Sequence, residues 1–405
     1  MGCMADSEQS AVEVWADAGA NQVHRRWGQP RRQRLWGAAL AIGLSTTALS
    51  AAQPTSTGPT ERDFLTRVRR LTVDGRRAGE GYWSPDGTRL VFQSEREPGN
   101  PFYQIYVLDL SSGESKRISP GVGKTTCAFF RPKSDDILFS STHHDPKSKQ
   151  YQDDENAFRA SGKERRYSWD YDPEMDIYAY DAKSGVLTRL TTARGYDAEA
   201  SYSPDGQWIV FSSMRDVYNR PLTAQETKQL ETDPSYFGEI YIMKADGSDQ
   251  KKLTDTPGYD GGPFFTHDGS RIVWREFDER GLIANVWTMK TDGSDKRQIT
   301  DFGSMSWAPY EHPSGAYFIF ASNKLGFENF ELFIVDAAGS KEPVRVTYSD
   351  GFDGLPVPSP DGRQLAWTSS RSGGAAGQLF LAQWNHDQAL DAIRNAPSRQ
   401  SAKKP

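Results

Sequence analysis

The tetrapeptide Ser-Pro-Asp-Gly occurs three times, at residues 84–87, 203–206 and 359–362, each time inside the same longer phrase. A phrase repeated at a fixed period limits a chain to arrayed architectures in which each unit covers its neighbour. The phrase runs from an aromatic residue through the Pro-Asp-Gly turn into an alternating strand that ends in Ser and often Arg. A third strand, a Gly turn and a fourth strand closing on Leu-Thr follow. Degenerate copies at 130–134, 265–269 and 311–315 fill the gaps. Successive copies stand about 46–47 residues apart, with about 25 extra residues in the second copy and about 16 in the third. The count is six.

Each copy holds four short runs of β-branched and aromatic residues between turn residues, the pattern of a small antiparallel meander. Pro fixes φ, Asp accepts backbone hydrogen bonds, and Gly takes the positive φ that a tight reversal needs. Asp246-Gly247, Asp292-Gly293, Ser112-Gly113 and Ser184-Gly185 supply a second hairpin. A lone four-stranded sheet leaves both faces wet, and radial repetition buries each against a neighbour. The expected fold is all-β: a six-bladed β-propeller of four-stranded antiparallel blades. Five copies end in a fourth strand, but the sixth stops after its third, at 378–384. The missing piece stands before the first copy, at Arg70-Leu71-Thr72. The N-terminal strand is therefore expected to complete the last blade and close the ring.

With 405 residues and 12% aromatics, the chain can fill one large core, and the repeats absorb nearly all of it. A net charge of −6 without a basic patch points away from nucleic acid. The two cysteines, Cys3 and Cys127, flank an expected cleavage point, which excludes an internal disulfide and a cysteine-based metal site. Residues 35–49 are apolar, follow Arg25, Arg26, Arg31, Arg32 and Arg34, and precede Ser50-Ala51-Ala52. That is the pattern of a secretory signal peptide over 1–52, and about 15 apolar residues are short for a membrane span. An uncleaved anchor is the alternative. Residues 53–66 read as a polar linker, 67–384 as the propeller, and 385–405 as a polar tail with at most a short helix near 388–395.

The recurring Ser-Pro-Asp-Gly, aliphatic-x-aromatic-x-Ser, Asp-Gly and Arg/Lys-Leu-Thr elements resemble the WD40-like propeller repeats of the TolB family, over roughly residues 67–384. TolB proper carries an α/β domain before its propeller. Only a short segment separates the expected signal from the first strand here, so the resemblance covers the propeller alone. It implies a periplasmic propeller that binds a protein or cell-envelope component, with a Pal-like lipoprotein among the candidates. No cofactor, metal, nucleic acid or membrane span after signal cleavage is expected, and the state expected is a monomer. Oligogalacturonate lyase has a similar propeller, which would imply a His-ligated metal in the channel. Peptidase systems use similar propellers as accessories. Neither a Gly-x-Ser-x-Gly elbow nor a His-Glu-x-x-His motif occurs, and the six histidines are a thin ligand supply. The expectation is a binding protein without catalytic residues.

In a propeller, the loops leading into each innermost strand share a face with those joining strands two and three. Here the lead-in loops carry Gly195-Tyr196-Asp197, Gly258-Tyr259-Asp260 and Gly351-Phe352-Asp353. Two long insertions, at 143–174 and 216–238, join strands two and three of adjacent blades and are expected to wall the channel mouth. Asp197 and Asp353 precede Arg215 and Arg371 by the same spacing, which fits an intrablade Asp–Arg pair. In blade four Asp278 takes the arginine's place, leaving Asp260 in an acidic patch suited to a cation or a basic side chain. In blade one Ala78 takes the acid's place, leaving Arg96 freer. These seven charged residues are the candidate mouth site. Tyr167, Trp169, Tyr171 and Tyr236 in the insertions are the candidate partner contacts, either packed on the rim or presented outward. His143 and His144, if on a strand, point to opposite faces, while His267 and His312 stand in turns on the far face.

Overall fold

The computed structural model describes residues 58–163, 169–373 and 377–399; the expected signal segment and Tyr167 lie outside the described residues. Six antiparallel four-stranded sheets form a six-bladed propeller. From the axis outward, blade one consists of Ala78–Trp83, Arg89–Ser94, Gln104–Asp109 and Ser115–Arg117. Blade two is Thr125–Phe130, Ile137–Ser141, Asp176–Tyr180 and Leu187–Arg189, and blade three is Asp197–Tyr202, Trp208–Ser213, Glu239–Lys244 and Lys251–Lys252. Blade four is Asp260–Phe265, Arg271–Phe277, Ala284–Lys290 and Arg297–Gln298, and blade five is Ser306–Glu311, Tyr317–Ser322, Glu331–Asp336 and Val344–Arg345. Blade six takes Asp353–Pro358, Gln364–Ser369 and Gln378–Trp384 from the end of the chain and Leu65–Arg70 from its beginning.

Each signature residue has a bond to explain it. Ser84 Oγ donates to Asp86 Oδ1 (2.5 Å) and accepts from Arg89 N (2.9 Å), and the same pair of bonds recurs at Ser203 and Ser359. Gly87, Gly206 and Gly362 then take φ of +70°, +72° and +68°. The hydroxyl of the Leu-Thr ending caps the third strand in every blade. Ser119, Thr191, Thr254, Thr300, Thr347 and Thr72 each accept a third-strand backbone N–H at 2.8–3.0 Å.

Ring closure follows the same rule with the chain order inverted. Leu65–Arg70 pairs antiparallel with Gln378–Trp384, and Thr72 donates to Gln378 Oε1 (2.7 Å) while capping Leu379. The strand starts before the expected segment and ends at Arg70. Residues 61–66, read as linker, form the helical turn Glu61–Phe64 and the start of this strand, because Phe64 and Leu65 are buried against Trp384. Part of the expected polar tail is likewise ordered: the helix His386–Asn395 buries Ala389 and Ile393.

Every inner strand shifts register at its third residue. That residue adopts positive φ in all six blades: Glu80, Cys127, Glu199, Gly262, Ala308 and Leu355. Two positions further on, Tyr82, Phe129, Phe264 and Tyr310 meet from blades one, two, four and five, with ring centroids 5.0–6.4 Å apart. Rings from blades that are not neighbours touch only across the axis, so an aromatic plug crosses the channel.

Candidate functional site

The expected Asp–Arg pairs form, and they are intrablade. Arg215 reaches Asp197 at 2.5 Å and Arg371 reaches Asp353 at 2.7 Å, both acids being fully buried. Each guanidinium also lies over two rings of its own blade, Arg215 over Phe211 and Tyr241 and Arg371 over Trp367 and Phe380. Arg96 does the same over Phe92 and Tyr106 (5.0 and 4.9 Å) and donates to Ser94 Oγ, so it is packed rather than free. The acid role in blade one passes to Glu95, which binds Arg76, Arg77 and Arg159.

Blade four departs from this pattern. Asp260 is buried, accepts from Trp274 Nε1 (3.2 Å) and Thr256 Oγ1 (3.0 Å), and among the described residues forms no ion pair. Opposite it in register stands Glu276, where blades three and six have Ser213 and Ser369. Glu239 of blade three lies close enough to act on Asp260 electrostatically, and Lys252, the natural partner of Glu239, is held by Asp216 (2.7 Å) and Asp255 (2.6 Å). Burial, reinforced by mutual repulsion, raises Glu239 to about 8 and Glu276 to about 7; burial alone raises Asp260 to about 6. Asp278 is not part of this cluster. Its carboxylate accepts from Leu282 N (2.8 Å) and Ile283 N (3.0 Å), closing its own turn.

The arginine missing from position 278 is replaced by Arg275, inside the second strand. Its side chain reaches past Gly261-Gly262 to Glu199 in the inner strand of blade three, with Nη2 at 2.7 and 3.0 Å from the two carboxylate oxygens. A Cβ at Gly262 would land on the Arg275 guanidinium, so only glycine leaves this passage open. Tyr259 and Trp307 flank the guanidinium at 5.2 and 5.5 Å, and Gly262 N donates to Glu199 (2.5 Å). Glu80 completes the group: it accepts from Tyr82 Oη (3.2 Å), and burial together with the Glu199 charge raises it to about 7. Glu199 holds the cation, and Glu80 lies close enough to feel both charges.

The insertions cover this group. Trp169 Nε1 donates to Tyr196 Oη (2.9 Å), and Tyr171 packs edge-on against Tyr196 and Tyr259. Of the candidate contacts, Trp169 and Tyr171 are therefore packed inward, and Tyr236 meets Phe237 edge-on. The insertion helix Ser148–Ala160 is tied to blade one through Gly123 N–Gln152 Oε1 (2.9 Å) and Arg159–Glu95 (3.2 Å). His143 and His144 stand beyond the strand end and both face Tyr178, with His144 beside Asp176 and Arg189, so the opposite-face expectation fails. Among the described residues, no three His, Cys, Asp or Glu side chains converge in an arrangement that could hold a metal ion.

No family model matches the chain. An uncharacterized protein of Agrobacterium fabrum is 29% identical over 216 residues, covering 48% of this chain and 64% of that protein. The solved structure assigned as TolB from Agrobacterium tumefaciens aligns with a TM-score of 0.53 at 20% identity, covering 78% of this chain and 94% of that one. TolB from Acinetobacter baumannii aligns with a TM-score of 0.51 at 16% identity, covering 75% and 65%. The chain has a TolB-like propeller fold. It spans less than two thirds of the length of the curated relatives it matches.

Within this TolB-like propeller, sequence reading found the mouth face and the Asp–Arg pairs but missed Glu80, Glu199, Arg275, Glu239 and Glu276. A usable signal was present. Asp260-Gly261-Gly262 is the one inner strand with consecutive glycines after its acid, which leaves room for a side chain from the next strand.

Proposed function

We propose that this chain is an exported, non-catalytic binding propeller that works in the periplasm as a monomer. It takes a protein or envelope component, a Pal-like lipoprotein being the first candidate, on the channel-mouth face. One observation carries the reading. Among the described residues eight large hydrophobic side chains are exposed, and six of them (Val73, Val122, Tyr151, Leu325, Phe327 and Tyr348) lie in mouth-face loops. Val68 is on the outer closing strand, and Val186 is in a hairpin of the opposite face. Scattered exposed apolar residues are ordinary, but their concentration on one face of a rigid scaffold favours a contact surface. The TolB-like fold supports the same reading. Among the described residues, no helix is long and apolar enough to cross a membrane.

The test is site-specific photo-crosslinking in cells. A crosslinking residue at Tyr151, Val73 or Phe327 is expected to give one discrete adduct, and Val186 none. Equal adducts from both faces, or none from the mouth, would refute the proposal.

A further inference from the structure

The chain end ties three blades together. Asn385 N donates to Phe64 O (2.9 Å), and Ala389 and Ile393 of the helix enter the core that holds Phe64, Tyr317 and Trp384. Beyond the helix, Glu342 N donates to Pro397 O (2.9 Å) and Arg399 N to Ser340 O (2.8 Å), along the edge of blade five. Arg399 Nη1 then reaches Ile299 O in blade four (2.8 Å). The helix lies against the seam where the N-terminal strand closes the ring, and the strap runs on to blades five and four.

The first residue of the helix is His386, and its ring lies flat on His312 of blade five, with centroids 4.5 Å apart and planes 7° apart. Trp384 Nε1 donates to Tyr317 Oη (2.7 Å). The other partner of Tyr317 Oη is His386 Nδ1, 3.0 Å away. Ser314 N donates to His312 Nδ1 (3.2 Å), leaving His312 Nε2 to donate to the Gly362 carbonyl (3.2 Å). The His312 ring is thus held neutral by its partners. A second proton on it would set a donor against the Ser314 N–H and place a cation on the His386 ring.

The groups around the pair do not offset such a charge. Blade five contributes Glu311 and Tyr317, blade four His267, the blade-six turn Asp361 and Arg363 beside Gly362, and the helix Asp387. Glu311 is engaged by His267, through its N–H (2.6 Å) and its ring (3.4 Å). Among the described residues, no ion pair joins His312 or His386 to a carboxylate. Burial, with the charges of His386 and His267, lowers His312 to about 4.

We propose that the C-terminal helix and strap form an acid-sensitive clasp on the ring seam, released when His312 takes up a proton. A depressed imidazole resists protonation only while docked, so docking is fully favoured above about 6.5 and weakens as pH falls toward the docked value. The test is amide hydrogen exchange of the full chain, corrected for intrinsic rates, between pH 7.5 and 5. Protection of residues 386–399 is expected to fall by up to about tenfold per pH unit for each proton taken up, while the inner strands hold. His312→Gln keeps the donor to Gly362 and His386→Asn keeps a polar partner for Tyr317 Oη. The double variant is expected to be protected at both pH values. Constant protection in the natural chain, or unchanged pH dependence in the double variant, would overturn the proposal. Imidazole NMR titration of the natural chain is independent of variant folding: coincidence with the loss of protection supports the clasp, and titration without it overturns it.

Discussion

Replacing Arg275 by methionine tests whether the channel is organised around an interblade charge pair. Methionine keeps much of the arginine's length and its place between Tyr259 and Trp307, so packing changes little and charge changes fully. What remains is Glu199, 9% exposed at its side chain, still accepting from Gly262 N (2.5 Å) but with no cation and with Glu80 nearby. Breaking a buried pair by removing one partner costs about 3–5 kcal/mol, because the other charge stays buried. Loss of the cation–π contacts adds about 1 kcal/mol. Unfolding entropy of about 2.1 cal/mol/K per residue makes 1 kcal/mol worth about 1.4 °C in a ring of about 340 residues, so Tm should fall by about 6 °C at pH 8. The loss should shrink at pH 5. A carboxylate left buried without a cation costs most where it is charged, and a lower pH relieves that cost. Arg275→Met combined with Glu199→Gln removes both charges and should recover most of the stability. Thermal unfolding of the three proteins at both pH values is the assay. A single variant within about 1 °C of the natural chain at pH 8, or a double variant no better than the single, would refute the reasoning.

Glu80→Gln keeps an acceptor for Tyr82 and removes a carboxyl raised to about 7. Stability in the natural chain is lost as pH rises from the unfolded value through 7, so the variant should gain up to about 3 kcal/mol at pH 8 and almost nothing at pH 4.5, measured by urea unfolding. Thr72→Val deletes the seam hydroxyl that bonds Gln378 (2.7 Å) and Leu379 N (3.0 Å). It should cost about 1–3 kcal/mol and raise hydrogen exchange first in Leu65–Arg70.

The blade number and the closing strand were legible because each rests on local chemistry that repeats. A Pro-Asp-Gly turn or a capping threonine makes the same bonds wherever it occurs, as the six hydroxyl caps do. The Asp–Arg spacing was legible for the same reason, since Asp197 and Arg215 sit at fixed register within one blade. Glu199 and Arg275 were not, because they meet across two blades and their pairing depends on how the blades pack. Phe64 was hidden differently. A single buried ring among polar residues carries no periodicity, so residues 61–66 read as linker until Trp384 is seen beside it. The insertion aromatics left two readings open because sequence cannot say whether a loop folds inward. The bond from Trp169 to Tyr196 decides that.

Blade four shows how a small move along a strand changes which neighbours a charge serves. Side chains alternate between faces, so an arginine moved from position 278 to 275, an odd number of residues, changes face. Arg275 then serves Glu199 of blade three, and among the described residues Asp260 and Glu276 are left without an ion pair, raised to about 6 and about 7 chiefly by burial. Carboxyls raised in this way hold protons in the folded state that the unfolded chain releases, so blade-four stability should fall as pH rises through 5 to 7. Asp278→Arg tests this account. It places a guanidinium where Arg215 and Arg371 stand, beside Asp260, at the loss of the turn bonds to Leu282 N and Ile283 N. Those bonds are worth about 1–3 kcal/mol, comparable to the gain from a cation, so stability at pH 5 should change little or fall. The pH slope carries the answer. With Asp260 paired, its carboxyl ionises earlier, and the loss of stability between pH 5 and 7 should flatten. A slope identical to that of the natural chain would mean that the protons are held elsewhere.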